Sequence, residues 1–218
     1  SHSMTATDVE AFLDGFVPLQ LELDDIAGAT IAIVKDGKLL FAKGYGYADV
    51  AKKKHVIAGT TLFPPGSVSK LFAWTAVMQL VEQKELDLDR DVNEYLDFKI
   101  PEAFGKPITL KNLLSHTPGF EDQAKDLFIA PANQVPLGQY LKTHIPRRMY
   151  PPGTTVAYSN YGASLAGYIV ERVSGRPFEQ YIQENIFKPL GMTRSTFAQP
   201  LPAAMSAPLS MGYRPSSS

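Results

Sequence analysis

Two short stretches carry side chains that can do chemistry together. The first is Ser67-Val68-Ser69-Lys70. On a helix, residues three apart are neighbours on one face. A serine hydroxyl is a weak nucleophile at its own pKa and needs a nearby base or a field that stabilises its alkoxide. A lysine one turn away can supply both, provided partial burial lowers its pKa. A helix N-terminus adds partial positive charge at Ser67. Taken alone, the stretch is better read as a capping serine beside a surface lysine. The second is Tyr158-Ser159-Asn160, placed after the turn Pro151-Pro152-Gly153, which can present it from a loop into a cleft. Tyr158 can shuttle a proton if its phenol is acidified by Lys70. Asn160 can hydrogen-bond Lys70 and a substrate amide. The competing reading is a buried tyrosine and a turn asparagine.

Other chemistry-bearing residues have plainer explanations. His116 sits in a Ser-His-Thr-Pro-Gly turn, where it reads either as a triad base or as a turn-stabilising residue. His55 and His144 have no partner at metal-ligand spacing, so no metal site is expected. Ser69 either lines the site or bonds back to its own helix. Phe72, Trp74 and Met78 lie at helical spacing and read as core. Gly44 and Gly46 fit close strand packing better than phosphate binding. Lys52-Lys53-Lys54 reads as a turn between strands.

The elements that position these residues follow from periodicity. Val9, Phe12, Leu13, Phe16 and Leu19 predict a helix over 5–22, with Pro18 weakening its end. The runs Ala29–Val34 and Leu39–Ala42 flank Asp36-Gly37, a strong hairpin signal. After Pro64-Pro65-Gly66 the period turns helical, with Leu71, Trp74, Val77, Met78 and Val81 on one face. Thr109 caps a short helix over 110–115. Residues 121–150 read as irregular. A helix over 162–173 carries Leu165, Ile169 and Val173, with Gly175 past its end. Pro177 opens another helix to about Phe187. The order is therefore helix, hairpin, then a long helical region.

The chain has 218 residues, 44% of them hydrophobic and 20% charged, with a formal net charge of −1 and no cysteine. Thiol chemistry and Cys-based metal sites are excluded. A near-neutral balance gives no electrostatic case for nucleic acid or an anionic membrane. The longest apolar stretch, 71–81, is too short to span a bilayer.

Several further stretches surround the two motifs. They are Ile108-Thr-Leu-Lys-Asn-Leu-Leu-Ser-His-Thr-Pro-Gly119, Ile169-Val-Glu-Arg-Val-Ser-Gly175 and Ile186-Phe-Lys-Pro-Leu-Gly-Met192. Over residues 8–215 the chain resembles the serine β-lactamase-related family. That family includes class C β-lactamases, D-alanyl-D-alanine carboxypeptidases and β-lactamase-like esterases. The resemblance implies an α/β (α+β) β-lactamase/transpeptidase-like fold, a mostly helical region plus an N-terminal antiparallel hairpin of an incomplete sheet. It implies that Ser67 attacks a carbonyl to form an acyl-enzyme, that Lys70 and Tyr158 manage its proton and that Asn160 positions substrate. The Ser67 N–H then forms half of the oxyanion hole. It further implies a structural His116, no cofactor, and a small-molecule acyl substrate: a β-lactam, a D-Ala-D-Ala peptide or a small ester. The parts expected are a vector-derived remnant at 1–4, a helix and hairpin at 5–62, a helical region with the motifs at 63–197, and a loop at 198–218.

The family's third motif, Lys-Thr-Gly or a His-x-Gly variant, does not occur in residues 190–218. The chain therefore reads as the N-terminal part of such a protein, with impaired activity and with self-association or strand exchange through its sheet. The alternatives are a non-catalytic penicillin-binding-like ligand sensor and a self-associating fragment. The resemblance favours a periplasmic or extracellular setting, and no signal peptide follows Met4.

Overall fold

A computed structural model describes residues 4–123 and 135–213. Residues 1–3 of the expected remnant, 124–134 of the irregular stretch and 214–218 of the expected loop lie outside them. The chain divides into two compact units, one of residues 4–64 and 202–213, the other of the described residues of 65–201.

The first unit begins with α1, Ala6–Leu23, capped by Thr5, whose hydroxyl accepts the Asp8 N–H. The helix runs through Pro18, because that proline faces solvent and removes only an exposed backbone bond. Its buried residue is Val17, whereas Phe12, Phe16 and Leu19 are exposed, contrary to the face predicted from their spacing. Polar ties orient the helix instead. Lys43 donates to Glu10 and Asp14 at 2.7 and 2.8 Å, and the Tyr45 hydroxyl donates to Asp14 at 3.0 Å.

Strands β1 (Gly28–Lys35) and β2 (Lys38–Asp49) form the antiparallel hairpin, with Lys35 opposite Lys38. Asp36 and Gly37 both take positive φ, 51° and 72°, as the two-residue turn that matches strand twist requires. A Cβ at Gly44 would stand 2.3 Å from the Val56 carbonyl oxygen, so the close packing read from the sequence is backbone on backbone. A short β3, Lys54–His55, adds to β2, and the lysine run turns between them. The order is β1-β2-β3. Residues after 198 are not all loop. Helix α7, Ala203–Ser206, leads to Leu209, which bridges Leu62 in parallel, and the Met211 N–H donates to Ala48.

The second unit holds α2 (Lys70–Glu82), α3 (Leu110–Leu114), α4 (Leu137–Thr143), α5 (Asn160–Ser174) and α6 (Phe178–Ile182), the last continuing as a wider turn over Gln183–Phe187. Helix α5 is its centre. Leu165, Ala166, Ile169 and Val170 are fully buried there, against Val77 and Leu80 of α2 and Leu110 and Leu113 of α3. Each of the leucine, isoleucine and valine side chains contributes about 1.5–3 kcal/mol when withdrawn from water. The buried stripe of α2 is Ala73, Ala76, Val77 and Leu80. Leu71 and Met78, expected inside, are exposed. Two alanines let α2 approach α5 closely, and that rotates the larger side chains outward.

Candidate active site

All the candidate residues belong to the second unit. Gly66, with φ of 57°, turns the chain out of Pro64-Pro65 into a 3₁₀ turn, Gly66–Ser69, that feeds α2. Ser67 is thus one turn ahead of the α-helix proper, and Lys70 is the first residue of α2. Ser69 does not line the site. Its hydroxyl bonds back to the Gly66 carbonyl at 2.6 Å and tightens the turn.

The stretch 108–119 builds the opposite wall. Thr109 and Asn112 form a reciprocal cap on α3, each side chain satisfying the other's backbone N–H. The chain then leaves through His116, whose φ is 53°. From there it runs beside the segment that leads to Tyr158. The Glu121 N–H donates to Arg147, Met149 to Gly119, Gly153 to Thr117 and Ala157 to His116, at 2.7–2.9 Å. Gly119 is required in this ladder. Its φ is 77°, and a Cβ would fall 2.0 Å from the Tyr150 carbonyl oxygen. The segment ends at Ser159, buried and capping α5 by accepting the Gly162 N–H at 2.9 Å. Asn160 is therefore the first residue of α5 rather than part of a loop.

These walls bring the four predicted residues together. The Lys70 ammonium donates to Ser67 Oγ at 3.0 Å and to Asn160 Oδ1 at 2.9 Å. The Tyr158 hydroxyl donates to Ser67 Oγ at 2.6 Å. Lys70 Nζ also lies 4.8 Å from the centre of the Tyr158 ring. The hydrogen-bonding partnership with Lys70, then that with Ser67, holds the Tyr158 phenol below its ordinary range, against a small opposing effect of burial. A phenol acidified beside a serine hydroxyl is a group that can take that hydroxyl's proton.

The sequence left His116 with two readings. In the fold it does not bond Ser67, whose hydroxyl is occupied by Lys70 and Tyr158. Its Nδ1 accepts the backbone N–H of Ser159 at 3.2 Å, and its ring lies 4.4 Å from that of Tyr158. Burial first, and the Lys70 charge second, hold its pKa below the ordinary histidine value. This link was invisible in the sequence, because its acceptor meets a backbone group 43 residues away. His55 stacks on Tyr47, and His144 Nδ1 lies 2.9 Å from the Tyr140 carbonyl oxygen. Among the described residues no group of three His, Asp or Glu side chains is arranged to hold a metal ion, and no helix is long and apolar enough to cross a membrane.

The meeting of a serine, a lysine and a tyrosine in an α+β fold is in keeping with a class of serine hydrolases and penicillin-binding-like proteins. The chain belongs to the beta-lactamase family, whose model matches residues 16–214. Among curated relatives, protein flp of Staphylococcus aureus is 31% identical over 195 residues, which cover 88% of this chain and 39% of that protein. The putative penicillin-binding protein PbpX of Bacillus subtilis is 37% identical over 171 residues, 77% of this chain and 41% of that one. The chain thus spans about two-fifths of the length of the curated relatives it matches. Among solved structures, the octameric penicillin-binding protein homologue of Pyrococcus abyssi is 30% identical with a TM-score of 0.79, covering 94% of this chain and 48% of that one. The D-alanine carboxypeptidase AmpC of Burkholderia cenocepacia is 30% identical with a TM-score of 0.74, covering 96% and 55%. The fold is that of the β-lactamase/transpeptidase group: a helical region with a small antiparallel sheet.

Proposed function

We propose that the protein hydrolyses an acyl substrate through a covalent intermediate on Ser67. The observation that carries this is the convergence of Lys70 Nζ and the Tyr158 hydroxyl on one oxygen, Ser67 Oγ, at 3.0 and 2.6 Å. Tyr158, as phenolate beside the Lys70 cation, takes the Ser67 proton while Oγ attacks the carbonyl carbon. The carbonyl π electrons move to the oxygen, where the Ser67 N–H at the head of the turn stabilises them. When that oxygen's electrons fall back, the bond to the leaving group breaks, and Tyr158 returns the proton to the departing nitrogen or oxygen. Water then repeats the sequence on the ester and frees Ser67. Asn160 holds Lys70 in place and offers its amide to the substrate.

The substrate class considered is the one the family resemblance implies: a β-lactam, a peptide ending in D-Ala-D-Ala or a small ester. The D-alanine carboxypeptidase AmpC of Burkholderia cenocepacia among the structural relatives supports the peptide. Fluorescent penicillin and a fluorophosphonate test the reading. Either should add one label to the protein and none to Ser67→Ala. Failure of both to attach defeats the reading.

Self-association is a second element of the proposal. Among the described residues β1 pairs only with β2, so alternate residues along its outer edge have no strand partner for their backbone groups. The octameric state of the Pyrococcus homologue lends support. Sedimentation should show mass rising with protein concentration. A monomer throughout would remove this element.

A further inference from the structure

We propose that His116 is a positioning residue for the acylation step, clamping the segment that carries Tyr158 and Asn160 against Ser67 and Lys70. The inference rests on the reading of Ser67 as the nucleophile and deepens it.

The clamp has three parts. The His116 carbonyl oxygen accepts the Ala157 N–H at 2.8 Å. Its Nδ1 accepts the Ser159 N–H at 3.2 Å. Its ring lies 4.4 Å from the Tyr158 ring at an interplanar angle of 30°. The two hydrogen bonds flank Tyr158 in the chain, so the backbone on both sides of the phenol is fixed by one residue. Behind, the imidazole lies 5.9 Å from the Trp74 ring, on the helix that bears Lys70. His116 therefore ties α2 to the entry of α5. Its backbone is left-handed, with φ of 53°, a conformation uncommon outside glycine that histidine adopts more readily than most residues. The carbonyl reaches Ala157 from that conformation, and the strain is held by the flanking bonds.

The geometry also fixes the proton. An Nδ1 that accepts a backbone N–H carries no proton, so the ring is neutral with its hydrogen on Nε2. Protonation would put N–H against N–H and release Ser159. The titratable groups facing the ring are Lys70 from α2 and Tyr158 from the segment ahead of α5. The Lys70 cation and burial both resist protonation. The clamp therefore opens on the acid side, as pH falls through a histidine value below about 6.5.

Two variants separate this role from a purely structural one. His116→Phe keeps an aromatic ring beside Tyr158 and removes the acceptor. His116→Gln keeps an acceptor that does not titrate. Fluorophosphonate labelling of Ser67 is followed from about pH 5 to pH 9, with thermal unfolding alongside. His116→Phe should label about tenfold more slowly at neutral pH, the equivalent of one hydrogen bond. His116→Gln should recover most of that rate and lose only the part of the acid-side fall that lies in the histidine range, keeping the fall that follows the Tyr158 ionisation. Equal losses in both variants, tracking their stability, would overturn the clamp, as would wild-type behaviour of His116→Phe. A second readout does not depend on activity. An ultraviolet difference titration against Tyr158→Phe isolates the Tyr158 phenolate, which should form at higher pH in His116→Phe than in the unmodified protein. An unchanged midpoint rejects the clamp even if no label attaches to Ser67, whereas absent labelling with a shifted midpoint rejects only the nucleophile reading.

Discussion

Lys70 lies 4.8 Å from the centre of the Tyr158 ring and donates to the same Ser67 oxygen that the Tyr158 hydroxyl reaches. A cation so placed favours the phenolate, and the phenol is correspondingly held below its ordinary value of about 10. On the proposed mechanism this pairing is what lets Tyr158 act as the base.

Replacing the cation tests that relationship. Lys70→Gln should slow labelling of Ser67 at neutral pH by about a hundredfold or more, the usual range for a lost proton-transfer partner. The base is the phenolate, so labelling rises with pH through the Tyr158 ionisation. Without Lys70 that rise should move to higher pH. A pH–rate profile with an unmoved midpoint would contradict the assignment.

Tyr158→Phe removes the base and leaves the ring beside His116. Labelling should drop by about 10²- to 10⁴-fold. The side chain is 46% exposed, so stability should stay within about 0.5 kcal/mol of the unmodified protein in urea unfolding. Retained labelling would leave Lys70 alone as the base.

Gly119→Ala probes the ladder that carries Tyr158. A left-handed φ and a clash with the Tyr150 carbonyl together should cost about 2–4 kcal/mol in urea unfolding. Labelling should slow as well, because Tyr150 begins the run to Tyr158. Wild-type stability would show that the strand pairing at 117–121 is not as described.

Leu165→Ala supplies the contrast. Leu165 is fully buried in α5 and touches none of the four site residues by hydrogen bond. Its truncation should cost about 2–5 kcal/mol. Labelling of the folded fraction should be unchanged. A specific loss of labelling at full foldedness would mean that the core of α5 sets the site geometry directly.

The site was more legible in the sequence than the packing that holds it. Ser67, Lys70, Tyr158 and Asn160 were singled out by the family resemblance, since each of their two short motifs taken alone also fits a plain structural reading, and the fold does bring their side chains together. The hairpin was equally plain, since Asp36-Gly37 names its own turn. The orientation of α2 was not, because its inward stripe contains Ala73 and Ala76, which carry little hydrophobic signal beside Leu71 and Met78. The orientation of α1 was lost for a related reason. Polar ties from Lys43 and Tyr45 to Asp14 decide its face, while its phenylalanines remain outside. The bridge from Leu209 to Leu62 is a single residue pair and leaves no periodicity to read. His116 announced itself as a chemically able residue. Its partner, a backbone N–H, has no letter in the sequence.

A nucleophilic Ser67 leaves a covalent adduct that can be mapped. Intact-mass analysis after exposure to a fluorophosphonate, with peptide mapping of the modified residue, tests it most directly. One adduct per chain is expected, located on Ser67, and none on Ser67→Ala under the same conditions. An adduct on another residue, or equal labelling of Ser67→Ala, would contradict it.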